Sequence, residues 1–378
     1  MHGGLFKDIS IFRSTRRLVV EDLNDLEKAL SYHTKRSMSA LERVRDGFVP
    51  VHPNYMPGHL QLFGNPEVEM VADTTDGIYH EKPFPLSGFS TKPGDALMIM
   101  YYREEKVIVA SDVKRRVSEK IAEIEEREMR KVYAKERNQM REEIVAKILP
   151  NAQARYWTVP IAFLSCGLIL VGGIGKRADQ ALAELREVLG TLPLLPVHTE
   201  YPVHLALTQL AKMQGDYTDA EQDFSGFRIT DDFQMQELDT NPPIARMKRT
   251  DVNMDSVQSL LEDKVMTHAN LSWKGQVSFK LDPKMAVRRV RMDDSAFIDD
   301  GAEEAEEVDY SGAMHASNLI ELGILASFFE AFIQFLGGEV LAEEQKDPET
   351  VILRDMATSL WDRNHAPADD DDDEGGDE

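Results

Sequence analysis

Lys176 to Val197 reads KRADQALAELREVLGTLPLLPV, and how this stretch is parsed sets the reading of the rest of the chain. Leu182, Leu185 and Leu189 recur at helical spacing, Gly190 offers a left-handed stop, and Pro193 prevents the helix from continuing. Leu194 to Val197 then resumes extended character. Upstream, Ile161 to Val171 is an apolar run that includes Phe163, Ile169 and Val171, so the unit is predicted to run strand, helix, strand.

At 378 residues the chain is long enough for two or three domains, because single cores seldom grow beyond about 250 residues. Its one cysteine, Cys166, falls inside the apolar strand and is expected to be a small buried core residue. A single cysteine allows neither a disulfide framework nor a cysteine zinc site within one chain. No secretory apolar region follows Met1, where Lys7 and Asp8 interrupt. The longest apolar run, Pro160 to Val171, falls short of the roughly 20 residues a membrane span needs. A cytoplasmic location without a membrane partner is expected.

The formal net charge of −24 at first argues against a nucleic-acid partner. The charge is uneven, however. Nine acids and no base lie between Asp293 and Asp309, and eight acids and no base between Asp369 and Glu378. These 17 charges leave a net of only −7 for everything else. Both runs are poor in apolar residues, so the first reads as a solvated loop and the second as a disordered tail.

Two segments are basic against this background. From Val113 to Lys147 there are eleven Lys or Arg and eight Glu, with neither Pro nor Gly. Val117, Ile121 and Ile124 form an apolar stripe at its start, and Met140, Ile144 and Ile148 form another at its end. Glu125 to Arg137 between them lacks such a stripe. A helix with no buried face must project, so two helices or one bent helix are expected to form a protruding finger. Glu123 with Arg127 and Glu126 with Arg130 are read as ordinary i,i+4 pairs on its solvated surface.

The second basic segment, Ile244 to Met292, carries ten Lys or Arg against five acids. In VRRVR, Val287 to Arg291, strict alternation would put Val287, Arg289 and Arg291 on one face of a strand and Arg288 and Val290 on the other. Clustered cations in a chain otherwise short of them suit a polyanion. Toward the C-terminus, Leu322, Leu325, Phe329, Phe332 and Leu336 follow 3-4 spacing, and Ile324, Phe328 and Phe335 make a second stripe before Gly337 and Gly338. Two stripes call for two surfaces: the domain's own sheet, and the same helix of a second chain.

The chain resembles the bacterial recombination-associated RdgC family. The resemblance rests on LFKDISIFR (Leu5 to Arg13), GFVP (Gly47 to Pro50), YREEKVIVASDVKRR (Tyr102 to Arg116), ILPNAQARY (Ile148 to Tyr156), LREVLGTLPLLPV (Leu185 to Val197), KVMTHANLSW (Lys264 to Trp273) and FIQFLGGE (Phe332 to Glu339). Their joint order from residue 5 to about 341 carries it, since no single piece is a signature.

The resemblance implies an α+β, multidomain, horseshoe-like subunit with mixed or antiparallel sheets flanked by helices, pairing into a ring-shaped homodimer. Residues 1–110 and 157–200 would form a central domain, 111–156 a helical tip or finger, 201–345 a base with a dimerisation helix, and 346–378 an acidic tail. Double-stranded DNA would pass through the ring and be bound without sequence preference, restraining RecA-dependent homologous recombination or replication at the nucleoid, without a cofactor and without catalysis. DNA contacts carry over onto Arg246, Lys248, Arg249 and Lys264, and the finger onto Arg127, Arg130, Lys131 and Lys135. Arg288, Arg289 and Arg291 join them from the charge reading. The dimer interface is assigned to Leu322, Leu325, Phe329, Phe332, Leu336 and Gln153.

Three departures stand out. At Gln153 the family can carry an aromatic residue that helps close the tip, whereas an amide buries poorly unless paired. The stretch from Met56 to Lys92 is insertion-like and reads as a long surface loop. The acidic tail beyond Gln345 is extra. Asp369 to Glu378 is expected to compete with phosphates for the basic surface, so deleting it should tighten duplex binding at low salt; unchanged affinity would remove the idea.

Two rival classes compete with this reading. A metal-dependent exonuclease needs carboxylates converging on cations. Asp282, Asp293 and Asp294 are the conceivable ligands, the ten His show no HExxH spacing, and Gly172 to Lys176 lacks the gap and the Ser or Thr of a phosphate loop. An acidic DNA mimic that sequesters a basic partner would instead bind DNA weakly.

Overall fold

The computed structural model describes residues 4–15, 17–19, 30, 33, 38–49, 70–72, 79–81, 88–91, 94–164, 166–189, 192–216, 226–237, 243–293, 310–341 and 350–352. Gly190, Asp294, the acidic run beyond Asp293, most of the 56–92 stretch and the acidic tail lie outside the described residues.

The strands, in chain order, are β1 (Ser10–Ser14), β2 (Arg17–Val19), β3 (Val44–Val49), β4 (Met70–Ala72), β5 (Tyr79–Glu81), β6 (Gly88–Thr91), β7 (Gly94–Lys106), β8 (Ala154–Phe163), β9 (Leu168–Val171), β10 (Leu194–Pro196), β11 (Phe227–Gln236), β12 (Ile244–Met247), β13 (Val265–Trp273), β14 (Val277–Leu281), β15 (Val287–Met292) and β16 (Thr350–Ile352). The helices are α1 (Ala110–Glu128), α2 (Ala134–Ile148), α3 (Lys176–Leu189), α4 (Val203–Asp216), α5 (Asp255–Leu260) and α6 (Tyr310–Phe335).

Two antiparallel sheets organise the α+β fold. One runs β10-β1-β9-β8-β7-β3 with β6 added to β7, and the other runs β12-β11-β13-β14-β15. In the first, alternation sends Leu97, Ile99 and Tyr101 to one face with Val159, Ile161 and Phe163. The Ala178, Ala181, Leu182, Leu185, Val188 and Leu189 stripe of α3 covers that face. Met98, Ala162, Leu168 and Leu170 point the other way and enter one continuous core with the second sheet, α4 and α6.

The predicted single strand from Ile161 to Val171 is in fact two. Gly167, at φ +80°, makes the turn between β8 and β9, where its N–H bonds the carbonyl of Leu164 at 2.9 Å. Cys166 sits on that turn and is exposed, so the expectation of a buried core cysteine is corrected. A hairpin buries the same apolar residues as one long strand would, which is why composition could not separate them.

Helix α6 corrects two further readings. It is 26 residues long, and its Ser317–Phe335 portion has a mean hydropathy of 1.4, long and apolar enough by composition to cross a membrane. The sequence reading, which fixed on Pro160 to Val171, passed it over. Here it serves as a core helix. Phe328 lies 4.9 Å from Phe279 and 4.9 Å from Phe329, and Phe227 lies 5.0 Å from Phe335. Leu322, Leu325, Phe329, Phe332 and Leu336, assigned to a dimer interface, are all buried in the chain's own core. The two stripes are adjacent on the helix surface, so one broad apolar bed covers both. The outward face carries Ile320, Gly323, Ser327, Glu330 and Gln334 instead. Gln153 is exposed at the foot of the α1–α2 hairpin, its carbonyl accepting the Val107 N–H at 2.9 Å.

Glu321 ties α6 to the chain's beginning. Its buried carboxylate accepts the N–H groups of Leu5 and Phe6 at 3.0 Å each. Glu321→Ala is expected to cost about 2–3 kcal/mol by stranding both donors, read as a lower urea midpoint with an unchanged slope. Beyond these residues, Ile9 exchanges N–H···O bonds with Val287, and Val290 donates to the Lys7 carbonyl at 2.8 Å. The N-terminal segment therefore lines the β15 edge of the second sheet.

Candidate nucleic-acid interface

The second sheet buries one face only. Phe227, Ile229, Phe233 and Met235 of β11, with Met266, Ala269, Leu271 and Trp273 of β13 and Val277, Phe279 and Leu281 of β14, point into the core. By alternation, Arg228 and Gln234 of β11, His268, Asn270 and Ser272 of β13, and Ser278 and Lys280 of β14 occupy the opposite face. Registers align them into rows. Arg246 stands opposite Gln234, which stands opposite His268; Asn270 stands opposite Lys280, which stands opposite Arg288; Ser272, Ser278 and Arg291 make a third row.

Strand β15 breaks the alternation assumed for VRRVR. Two residues, Arg289 and Val290, oppose the single Phe279, and Arg289 adopts a left-handed φ of +53°. This bulge shifts the phase by one residue. Val287, Val290 and Met292 all turn inward, while Arg288, Arg289 and Arg291 stay at the surface. The expected split, with Arg288 and Val290 sharing a face, is thereby corrected. The bulge is held from outside the strand, since the Arg289 N–H donates to the Asp8 carboxylate at 3.1 Å.

β12 and β15 are the two outermost strands of this sheet, so Arg246 and Arg288 stand four strand spacings apart, roughly 19 Å. Lys248 and Arg249 extend the β12 side. They are exposed in the turn that follows it, where the Arg249 N–H donates to Asp232 at 3.1 Å. Arg246, Lys248, Arg249, Lys280, Arg289 and Arg291 have no ion-pair partner among the described residues. Two cations chosen from sequence are engaged instead. Lys264, part-buried, is paired with Glu237, and Arg288 is paired with Asp282 at 2.9 Å.

His268 lies at the centre of this surface and escaped the sequence reading, as did Gln234 and Asn270. Their signal was present in the alternation of MTHANLSW, but periodicity says which residues share a face and not which face meets solvent. Partial burial, followed by the positive charge of Lys280, depresses the His268 imidazole below its ordinary value, with Arg246 and Arg288 acting in the same sense and Asp282 against them. The depressed value favours the neutral ring in the folded chain. On acidification the unfolded chain takes up the proton first, so folded stability should decline as pH falls through the ordinary histidine range. His268→Gln is expected to flatten the fall in urea midpoint between pH 7 and pH 5; an unchanged fall would remove His268 as its source.

The finger is a hairpin of α1 and α2. Val113 and Val117 pack against Ile144 near its base, and Lys120 bridges to Glu143 at 2.7 Å where the apolar stripe thins out. The expected Glu123–Arg127 and Glu126–Arg130 pairs are replaced. Helix α1 ends at Glu128 with Met129 in the left-handed conformation. Arg130 therefore lies beyond the helix, bonding Glu128 and, across the turn, Glu136 at 2.7 Å; Arg127 pairs with Glu128 at 2.9 Å. Lys131 and Lys135 stay exposed without an ion-pair partner among the described residues. The structure brings the β12, β14 and β15 cations onto one sheet face and leaves those of the finger on a separate element.

Among the described residues no group of three or more His, Cys, Asp or Glu side chains is placed to hold a metal ion. Asp282 is occupied by its own turn, accepting the N–H groups of Lys284 and Ala286 at 3.0 Å each besides Arg288.

These features define a class: an α+β protein of two antiparallel sheets, one of which presents cations, amides and hydroxyls on its outer face. Comparison with known proteins narrows the class. Residues 82–339 match the family model described as "Putative exonuclease, RdgC". A recombination-associated protein RdgC of Pseudomonas fluorescens is 32% identical over 337 residues, covering 88% of this chain and 97% of the relative. One from Pseudomonas aeruginosa is 30% identical over 342 residues, covering 89% and 99%. One from Pseudomonas putida is 33% identical over 257 residues, covering 66% and 80%. The chain belongs to the RdgC family, which supports a role in recombination.

Proposed function

We propose that this chain binds double-stranded DNA without sequence preference, as a homodimer whose horseshoe-like subunits close into a ring, and so restrains RecA-dependent recombination at the nucleoid in the cytoplasm. In this reading residues 111–156 serve as the tip of each subunit and residues 201–345 as its base. Family membership supports the recombination role. One observation carries the DNA reading: the second sheet gathers Arg246, Lys280 and Arg288 about His268, with Arg291 further along the same polar face, in a chain of net charge −24.

A sheet face of this kind suits phosphates better than base edges. Lys and Arg side chains displace counterions along a backbone of regular charge, whereas base reading needs a helix or ribbon offering Arg, Asn or Gln to a groove. The ring and the RecA antagonism rest on the family resemblance. Retention on circular duplex tests the ring. Protein loaded on a closed circle should survive a salt challenge that strips it from a linear duplex of the same length, and equal loss from both would reject encirclement.

The description of the matching family favours a second reading, exonuclease. Asp282 already has a structural occupation, which supports binding over cleavage. Incubation with end-labelled duplex and Mg²⁺ or Mn²⁺ separates the two, since shortening of the label abolished by a chelator would establish the nuclease.

A further inference from the structure

A cleft of about 910 Å³ opens between the start of the chain, the loop entering α3 and the Ser317, Asn318 and Glu321 stretch of α6. It is lined on one side by Gly172, Gly173, Ile174 and Arg177, and on the others by Lys7, Arg288 and Asn318. Of its lining, only Arg288 also belongs to the duplex-binding face. Its size lies within the range of small-molecule sites.

Three features give it a chemistry. The loop delivers the chain into the 14-residue α3, whose first turn carries Asp179, with its N–H on the Gly175 carbonyl; Gly175 has no side chain to cap the N–H groups of Lys176, Arg177 and Ala178. A Cβ at Gly173 would lie 3.4 Å from the Ala178 nitrogen, and glycine keeps this approach open. Second, Lys7 is exposed and Arg177 reaches over Trp157, with its guanidinium 5.4 Å from the ring centroid; neither has an ion-pair partner among the described residues. The two acids at the rim are committed elsewhere, Glu321 to Leu5 and Phe6 and Asp8 to the Arg289 N–H. Third, Asn318 is only 3% exposed, lines the cleft, and has no side-chain hydrogen-bond partner among the described residues. An amide so enclosed, facing the cleft and with no partner among the described residues, can take a polar group supplied from outside.

We propose that this cleft binds a phosphate monoester of nucleotide size. The α3 N-terminus, Arg177 and Lys7 take the phosphate, and the Asn318 amide bonds a polar group of the attached nucleoside. The phosphate can come from a free nucleotide or from the 5′ end of a DNA strand, and Arg288, which belongs to both the cleft and the sheet face, joins the two surfaces. The site shares only Arg288 with the duplex-binding face, and its argument does not depend on that reading.

The test uses the full chain and calorimetric titration with dAMP, together with competition between short duplexes that differ only in a 5′-phosphate or a 5′-hydroxyl. Saturable dAMP binding identifies the free nucleotide, and preference for the 5′-phosphorylated duplex identifies a strand end. Arg177→Gln and Asn318→Ala should each weaken the responding ligand about tenfold, the usual scale for losing a well-placed polar contact to a charged group. Lys7→Gln, at an exposed position that folding tolerates, should do the same, while Lys212→Gln, exposed on α4 and outside both surfaces, should leave it unchanged. No saturable dAMP binding together with no preference for the 5′-phosphate would overturn the proposal, and so would affinity indifferent to Arg177→Gln and Lys7→Gln. Duplex affinity unmoved by Lys248→Gln, with the 5′-phosphate or dAMP response intact, would sink only the duplex reading.

Discussion

Phe328→Ala is expected to destabilise the chain by about 3–5 kcal/mol, the largest single-residue effect foreseen for it. Phe328 is fully buried, and its ring meets Phe279 and Phe329 at 4.9 Å, Trp273 at 5.7 Å, Phe332 at 5.8 Å and Phe227 at 6.0 Å. Truncation removes these edge and stacked contacts and opens a cavity that rigid neighbouring rings cannot collapse to fill. The effect should appear as a lower urea midpoint. Ser327→Ala, one residue away on the outward face, should change stability by about 0.5 kcal/mol or less. A cost below about 1 kcal/mol for Phe328→Ala would mean that α6 is not the keystone of the second sheet.

The second large effect concerns DNA. Replacing Arg246, Lys248 and Arg249 together with glutamine should weaken duplex binding roughly a hundredfold, at about 1 kcal/mol for each exposed charge-assisted contact. The loss should be uniform across sequences, and the dependence of log affinity on log salt should become shallower by about 0.9 for each phosphate contact removed. All three side chains are exposed and far from the apolar core, so folding should survive the change. Lys264→Gln makes a useful contrast. Its ammonium is already held by Glu237, and its removal should affect the salt slope little. An undiminished slope in the triple variant, or a loss confined to one sequence, would remove this face as the DNA surface.

Much of this was legible in the chain. The α3 stripe of Leu182, Leu185 and Leu189 appears where the spacing placed it, because one helix face packing on one sheet leaves a local period. The finger was legible for the converse reason: a helix pair whose middle lacks an apolar face has nothing to bury there. Family membership was legible from ordered segments, since fold-determining blocks keep their sequence order whatever lies between them. The cations at Arg246, Lys248, Arg249 and Arg291 were visible as a local excess over a strongly acidic background.

What escaped the sequence depends on partners distant along the chain. The Arg289 bulge is held by Asp8, 281 residues away, and no local pattern records it. Whether Lys264 is a free cation depends on Glu237, 27 residues earlier, which only strand pairing brings alongside. Cys166 looked like core because an apolar strand and an apolar hairpin have the same composition.

Sequence alone determined the periods, the charge asymmetry and the family, because each is a property of neighbours along the chain. The tertiary structure alone decided which side of each element meets water. It turned both stripes of α6 inward, left His268 among cations on an open sheet face, and set Lys7, Arg177 and Asn318 around one cleft. A period fixes which side chains travel together, but burial is a relation between surfaces, and those surfaces exist only once the chain has folded.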